Sequence, residues 1–165
     1  MPITIPDDLR QQWARQSAAL YESFRKLTGR ALIVESGDAA ADAQRLFEAP
    51  FVVVSHGTEA DPILNYGNAV ALALWEMTPK SLLATPSRLT AEPTLRAARE
   101  RLLAETARRG FVDGYEGVRI SATGRRFLIR NVTIWNVSDA KGRPLGQGAT
   151  FADWRYLDEK DEPAA

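Results

Sequence analysis

The sequence has 165 residues, of which 45% are apolar and 25% are charged, and its 21 basic side chains balance its 21 acidic ones. This length and apolar content predict a single domain with a core of its own. The zero net charge disfavours a nucleic-acid partner, because no overall positive field draws the chain to phosphates. The absence of cysteine excludes disulfides, thiolate metal sites and a cysteinyl-flavin cofactor.

The two ends of the sequence predict no targeting or membrane segment. The N-terminal residues MPITIPDDLRQQW contain no basic stretch followed by an apolar run, and nowhere do 18 consecutive apolar residues occur. We therefore expect a cytoplasmic protein without a signal peptide or a membrane partner. The charged C-terminal residues 157–165, LDEKDEPAA, predict a flexible tail.

The first half of the sequence predicts helices around a pair of strands. Residues 1–30 form an amphipathic helix ended by Gly29, and its apolar stripe consists of Leu9, Trp13, Leu20, Phe24 and Leu27. A short helix follows over 38–48, and FVVVS (51–55) then predicts a strand that is buried on both faces. Asp61-Pro62 predicts a turn before a short strand over 63–66, and Asn68 is placed to cap the next helix.

The second half predicts helices that give way to three strands. Thr78-Pro79 and Thr85-Pro86 predict two short helical turns, and Thr90 is expected to start the longest helix, which extends from about residue 92 to 109. Alternating apolar residues then predict strands over 115–121, 126–137 and 145–154. This order of elements predicts an α+β domain with an antiparallel sheet and helices packed on one side.

Long blocks of this sequence resemble the MEKHLA domain family. The blocks are LYESFRKLTGR, LFEAPFVVVSHGTEADPILNYGNAVALALWEM, ATPSRLTAEP, GFVDGYEGVRISATGRRF and TIWNVSDAKGRPLGQGATFADW. The family is PAS-like, occurs alone in bacteria, and forms the C-terminal domain of plant class III homeodomain leucine-zipper regulators. The resemblance implies a five-stranded antiparallel sheet with helices on one face, over residues 31–156, and an N-terminal flanking helix over residues 1–30.

PAS folds usually sense small molecules, so the resemblance implies a sensor or binding module for an unidentified ligand. No kinase, cyclase or DNA-reading motif is present, and we expect the signal to leave through a partner or through self-association. A homodimer through Trp13, Leu20 and Phe24 of the N-terminal helix is one such arrangement. The residues expected to line the ligand pocket are His56, Tyr66, Asn68, Trp75, Asn131, Thr133, Trp135 and Gln147.

His56 is the only histidine of the chain and directly follows a predicted buried strand. A structural role at the strand end is favoured, and pocket lining and catalysis are the alternatives. The second functional hypothesis is therefore a small enzyme with His56 as general base and Asn68 or Tyr66 as hydrogen-bond donors. One histidine is a poor ligand set for zinc, and the long helix offers no axial histidine for haem, so both cofactors are disfavoured. Noncovalent flavin stays open, and no cofactor is predicted.

The long strand over 126–137 contains two polar residues that could contact a ligand, depending on which face of the strand lines the pocket. Regular alternation places Phe127, Ile129, Asn131, Thr133, Trp135 and Val137 on one face. If that face lines the pocket, Asn131 and Thr133 are polar groups available to a ligand. If Leu128, Val132 and Ile134 face the pocket instead, the clue disappears. The arginines of these strands, and those of the helix over 92–109, are expected to be solvated or paired with carboxylates.

Overall fold

The computed structural model describes residues 3–157, in which one antiparallel sheet lies between two layers of helices. The helices are α1 (Arg10–Thr28), α2 (Ala39–Phe47), α3 (Ala69–Trp75), α4 (Pro79–Leu82) and α5 (Arg96–Arg109). The strands are β1 (Val52–His56), β2 (Leu64–Gly67), β3 (Phe111–Ile120), β4 (Arg126–Ser138), β5 (Pro144–Phe151) and β6 (Asp153–Tyr156). The predicted flexible tail lies outside the described residues from position 158 onward.

The strands are arranged in the order β2-β1-β5-β4-β3, and every pair is antiparallel. β6 follows β5 after a single residue and pairs with the first part of β4, so one predicted strand over 145–154 is two short segments. The helices α3, α4 and α5 fall between the second and third strands of the chain. The predicted PAS-like α+β fold with a flanking N-terminal helix is confirmed. The helices are not all on one face, however, because α2 packs beside α1 on the face of the sheet opposite to α3 and α5.

The inner face of the sheet is the one covered by α3 and α5. Trp75 at the end of α3 packs edge-on against Phe127 of β4 and Phe151 of β5, with ring centroids 5.3 and 6.1 Å away. The predicted cap of α3 is present, because the Asn68 side chain accepts a hydrogen bond from the Ala71 amide. These contacts fix the start and the end of α3 against the sheet.

The outer face is covered by α1, with α2 beside it. Trp13 and Leu20 are fully buried, and Phe24 meets Trp135 of β4 edge-on at 5.0 Å. The Trp135 indole N–H donates a hydrogen bond of 3.2 Å to the Leu20 carbonyl. The apolar stripe of α1 is therefore used inside its own domain, and a homodimer would have to form through the opposite side of this helix.

The long-helix prediction is wrong in two respects. α1, with 19 residues, is longer than α5, with 14. Thr90 does not cap α5, because its hydroxyl donates to the Ser87 carbonyl within a separate 3-10 turn, and α5 begins at Arg96. The prolines at 86 and 93 divide this stretch into short turns, since each can begin a helical turn but cannot continue one.

Candidate functional site

A cavity of about 70 Å³ lies between the inner face of the sheet and the helical layer of α3 and α5. At the volume that a water molecule occupies in the liquid, about 30 Å³, this is room for about two water molecules. Its apolar wall includes Leu64, Trp75, Leu103, Ile129, Val132, Ile134 and Phe151. Its polar lining consists of Ser55, His56, Ser87, Thr90, Arg99, Arg119 and Gln147.

Two arginines from different elements meet at this cavity. Arg99 on α5 and Arg119 on β3 are each only 7% exposed. Arg99 donates to the Ser87 hydroxyl at 2.8 Å, and Arg119 donates to the Val118 carbonyl at 2.9 Å. Within residues 3–157, neither guanidinium takes part in an ion pair with a carboxylate. The cavity is therefore lined by two buried positive charges without a neutralising partner.

This environment lowers the pKa of Arg99. Burial lowers the pKa of Arg99 to about 10, and the positive charge of Arg119 contributes to the same shift. Both causes disfavour the charged form, because a buried cation loses its hydration and a second cation repels it. At neutral pH the side chain still carries its proton, so the site is positively charged.

His56 lies at the end of β1, where its ring borders the cavity. Its Nδ1 is 3.1 Å from the carbonyl oxygen of Gly57, which places the proton of the neutral ring on Nδ1 and leaves Nε2 as an acceptor. Within the described part of the chain, Nε2 is buried and completes no hydrogen bond. Burial lowers the pKa of His56 and the charge of Arg99 adds to this, while Gly57 and Glu59 oppose the shift.

An open groove of about 680 Å³ lies next to the cavity. His56, Leu103 and Gln147 line both the groove and the cavity, so these three residues separate them. The Gln147 amide group donates to the Leu103 carbonyl at 2.9 Å and to Asn136 Oδ1 at 3.2 Å, which ties β5 to α5 at this position. Breaking these two hydrogen bonds would open a path between groove and cavity.

Three of the eight predicted pocket residues line the cavity, namely His56, Trp75 and Gln147. Three others lie on the outer side of the sheet. Tyr66 packs against Trp13 at 5.0 Å, Trp135 packs against Phe24, and the Thr133 hydroxyl donates to Asp113 at 2.6 Å. These three side chains belong to the contact between the sheet and the outer layer or the rim of β3.

Asn68 is fully buried but has no capacity left for a ligand. Its side-chain oxygen accepts from the backbone amides of Val53 and Ala71, and its side-chain nitrogen donates to the carbonyls of Leu46 and Phe51. These four hydrogen bonds join α2, β1 and α3. The placement makes Asn68 a structural connection between three elements.

Asn131 is exposed and changes the orientation of β4. Its φ of 54° is in the left-handed region, and β4 has one extra residue here relative to β3, since Ile129 pairs with Gly117 and Val132 with Tyr115. Such a bulge reverses which face the following side chains occupy. The predicted regular alternation is therefore wrong beyond Asn131, and Val132 and Ile134 line the cavity where Thr133 and Trp135 do not.

The bulge removes the polar clue that the alternation had offered.

The positions of Tyr66 and Asn68 bear on the enzyme hypothesis. Tyr66 lies on the opposite side of the sheet from the cavity, and all four hydrogen-bonding positions of Asn68 are occupied. His56 is thus not joined by either of the two donors that the hypothesis assigned to it. A general base needs such a group to position the reacting atom.

Arg99 and Arg119 were not among the residues predicted from the sequence to line the pocket. The buried residues of α5 are Arg99, Leu102 and Thr106, whereas the arginines of this helix were expected to be solvated or paired with carboxylates. The spacing of three and four between these residues was the available signal. For Arg119 the signal was its place between Val118 and Ile120 on a strand, but an arginine there is ordinarily solvated.

Within residues 3–157, no three histidine, cysteine, aspartate or glutamate side chains lie close enough together to bind a metal ion. No helix in this range has the length and apolar content that are needed to cross a membrane.

Solved structures with a similar fold are PAS and light-oxygen-voltage domains. The PAS domain of a protein from Colwellia psychrerythraea superimposes with a TM-score of 0.58 at 12% identity, over 71% of this chain and 94% of that one. The light-state dimer of the fungal blue-light photoreceptor Vivid gives 0.54 at 13%, over 80% and 90%. A PAS domain of a LuxR-family transcriptional regulator from Burkholderia thailandensis, solved in complex with ethanol, gives 0.51 at 16%, over 69% and 95%.

Comparison with curated proteins found no significant match. The MEKHLA domain family matches residues 14–156, which includes most of α1 and every strand. This match covers most of the sequence, and it agrees with the PAS-like order of helices and strands. The chain therefore belongs to the MEKHLA domain family.

Proposed function

We propose that this MEKHLA domain is a sensor module that binds a small molecule in the cavity between the sheet and α3 and α5. The observation that carries the proposal is the cavity itself, which brings together an apolar wall and buried polar side chains from β1, α5, β3 and β5. Concave sites of mixed apolar and polar lining are typical of ligand pockets. We propose His56, Trp75 and Gln147 as ligand contacts, together with Arg99 and Arg119.

The size of the cavity limits the ligand to a few non-hydrogen atoms. A flavin ring system does not fit into about 70 Å³ unless the helical layer moves away from the sheet. Ethanol, which is bound in the similar PAS domain from Burkholderia thailandensis, is of a size that such a cavity can hold. The volume of the cavity therefore supports a small ligand rather than a large planar cofactor.

The proposed route of the signal is the sheet itself. Gln147 and Ala149 of β5 face the cavity, and Gly148 between them lies against Trp135 and Leu20 on the outer side. A shift of β5 on ligand binding would therefore act directly on α1. We propose that residues 31–156 form the sensor domain and that the N-terminal helix within residues 1–30 transmits its state to a partner or a second copy.

Native mass spectrometry of the protein purified from its own host tests the proposal. We expect a bound mass, and we expect Ala149→Leu to reduce its occupancy, because the larger side chain extends into the cavity. Ala41→Leu is the matched control, since Ala41 is exposed on α2 and its substitution leaves the cavity unchanged. The same spectra report whether the subunits associate.

Two results would contradict the proposal. One is the absence of any bound mass together with no binding of added small molecules. The other is an occupancy that Ala149→Leu and Ala41→Leu leave equally unchanged, which would place the ligand elsewhere.

A further inference from the structure

The buried charges that line the cavity are all positive. Arg99 and Arg119 supply two positive charges, while the other polar residues of the lining, Ser55, His56, Ser87, Thr90 and Gln147, include no acid. The pKa of His56 is lowered, so this ring is neutral at pH 7 and adds no charge. The Arg119 guanidinium lies over the Tyr115 ring at 5.4 Å, but within residues 3–157 neither arginine is in an ion pair with a carboxylate.

This arrangement opposes folding of the unliganded chain. A buried charge loses its hydration, and only an opposite charge or a full set of hydrogen bonds restores that loss. Each guanidinium has five N–H donors, yet Arg99 uses one on Ser87, and Arg119 uses one group on Val118 with a weaker contact to Tyr115 at 3.5 Å. Donors are thus left over on both side chains where they border the cavity.

The buried acid of this chain shows how a charge is normally accommodated here. Asp42 on α2 is 2% exposed, and its carboxylate accepts hydrogen bonds from the Ser36 amide and the Ser36 hydroxyl. Arg45 lies 3.8 Å from the same carboxylate. Asp42 has its hydrogen bonds and its counter-charge within the chain, whereas Arg99 and Arg119 have no counter-charge among the described residues.

We propose that the cavity binds a small organic monocarboxylate, with its carboxylate group between Arg99 and Arg119 and its short apolar part against Trp75, Ile129 and Val132. This inference rests on the proposed function, whose ligand it assigns to a chemical class. Guanidinium groups match the planar carboxylate in shape and donate to both of its oxygens. The apolar wall favours an organic acid over inorganic phosphate or sulfate, because those ions would bring charge to every side of the cavity.

The test uses acetate and its neutral analogue acetamide, which have nearly the same size and shape. Titration calorimetry on the full chain at low salt is expected to show acetate binding at least tenfold more tightly than acetamide. Arg99→Met and Arg119→Met are each expected to weaken acetate binding at least tenfold. Arg101→Met is the matched control on the same helix, because Arg101 is exposed, and acetate affinity should stay within twofold.

Loss of binding must be separated from loss of folding. Because methionine removes an uncompensated buried charge, Arg99→Met is expected to unfold at the same or a higher temperature than the wild type. NMR of the arginine Nε–H groups in the unmodified chain gives a second measurement. Added sodium acetate should shift the Arg99 and Arg119 signals, and the same concentration of sodium chloride should not.

Failure of the inference is distinguishable from failure of the proposed function. Equal binding of acetate and acetamide, or acetate affinity unchanged in both arginine variants, would overturn the carboxylate assignment and leave a neutral small-molecule sensor. Sulfate binding as tight as that of acetate would assign the site to inorganic anions and overturn it as well. No binding of either organic probe, together with no bound mass in native spectra, would overturn both proposals.

Discussion

The two faces of the sheet are built on opposite principles. On the outer face, Trp13 packs against Tyr66, and Phe24 packs against Trp135, whose indole N–H is hydrogen-bonded to the Leu20 carbonyl. On the inner face, Trp75 and Phe127 pack at one end only, and the rest surrounds a cavity with Arg99 and Arg119 in its lining. The outer face is closely packed, whereas the inner face contains a cavity and two buried arginines without an ion-pair partner among the described residues.

We infer from this difference that the outer face of the sheet contributes mainly to stability and the inner face mainly to ligand binding. Close packing of large apolar groups contributes most of the folding free energy of a domain, and a cavity with buried charge subtracts from it. A protein tolerates such a cavity where it serves binding. We therefore expect substitutions on the outer face to change stability, and substitutions on the inner face to change ligand binding more than stability.

The largest expected effect is that of Trp135→Ala on the outer face. Trp135 is fully buried, and its removal leaves a space between β4 and α1 and a Leu20 carbonyl without its donor. We expect a loss of about 3–5 kcal/mol in the free energy of unfolding, measured by urea denaturation. Such a loss is a large part of the stability of a domain of this size.

Trp154→Ala on β6 is the control for this substitution. Trp154 is only half-buried and packs against Phe151 at 6.1 Å, so its removal should cost about 1 kcal/mol. If the two variants lost the same free energy, the outer face would not be the principal packed core.

A smaller change in the free energy of unfolding is expected from substitutions at Gly148 and Ala149, two neighbouring residues of β5 on opposite faces of the sheet. A Cβ on Gly148 would lie 2.9 Å from Trp135 Cζ2 and 3.0 Å from Leu20 Cδ2, so Gly148→Ala must displace packed side chains. We expect Gly148→Ala to lower the free energy of unfolding by about 1–3 kcal/mol. Ala149→Val directs its added methyl groups into the cavity and should change it by less than about 0.5 kcal/mol.

Urea denaturation of the two β5 variants under one set of conditions makes this comparison direct. Acetate binding should follow the reverse order, with Ala149→Val weakened more than Gly148→Ala. Destabilisation by Ala149→Val equal to that by Gly148→Ala would mean that the inner face is as closely packed as the outer one.

The sequence predicted the elements of this fold better than their orientation. Asn68 and the prolines act on the backbone next to them, so the start of α3 and the short turns after it could be predicted from the local sequence. The reversal of β4 at Asn131 could not be, since asparagine tolerates a positive φ in many settings and only the pairing with β3 and β6 shows the bulge. That single residue determined which side chains face the cavity.

The same limit applies to the candidate site. His56, Trp75 and Gln147 could be selected because they are unusual residue types beside predicted strands or helix ends. Arg99 and Arg119 could not be, because a buried arginine is rare and charged helix positions are solvated by default. Only the packing of α5 against the sheet removes Arg99 from water, and that packing depends on contacts between residues far apart in the sequence.

The smallest expected effect concerns His56, at the boundary between cavity and groove. Its pKa is lowered by burial and by the charge of Arg99, so the folded state resists protonation while the unfolded chain takes up a proton near pH 6.5. The stability that follows is fully present above pH 6.5 and is lost as the pH falls through the lowered pKa. His56→Gln keeps a polar side chain but removes this titration.

Urea denaturation between pH 7.5 and 5 should therefore show wild-type stability falling more steeply with acid than that of His56→Gln. His56 is the only histidine of the chain, so no other histidine contributes to the difference. Parallel curves would mean that the imidazole takes up a proton as easily in the folded domain as in the unfolded chain. Water would then have to reach Nε2 through the groove, and the boundary formed by His56, Leu103 and Gln147 would already be open without a ligand.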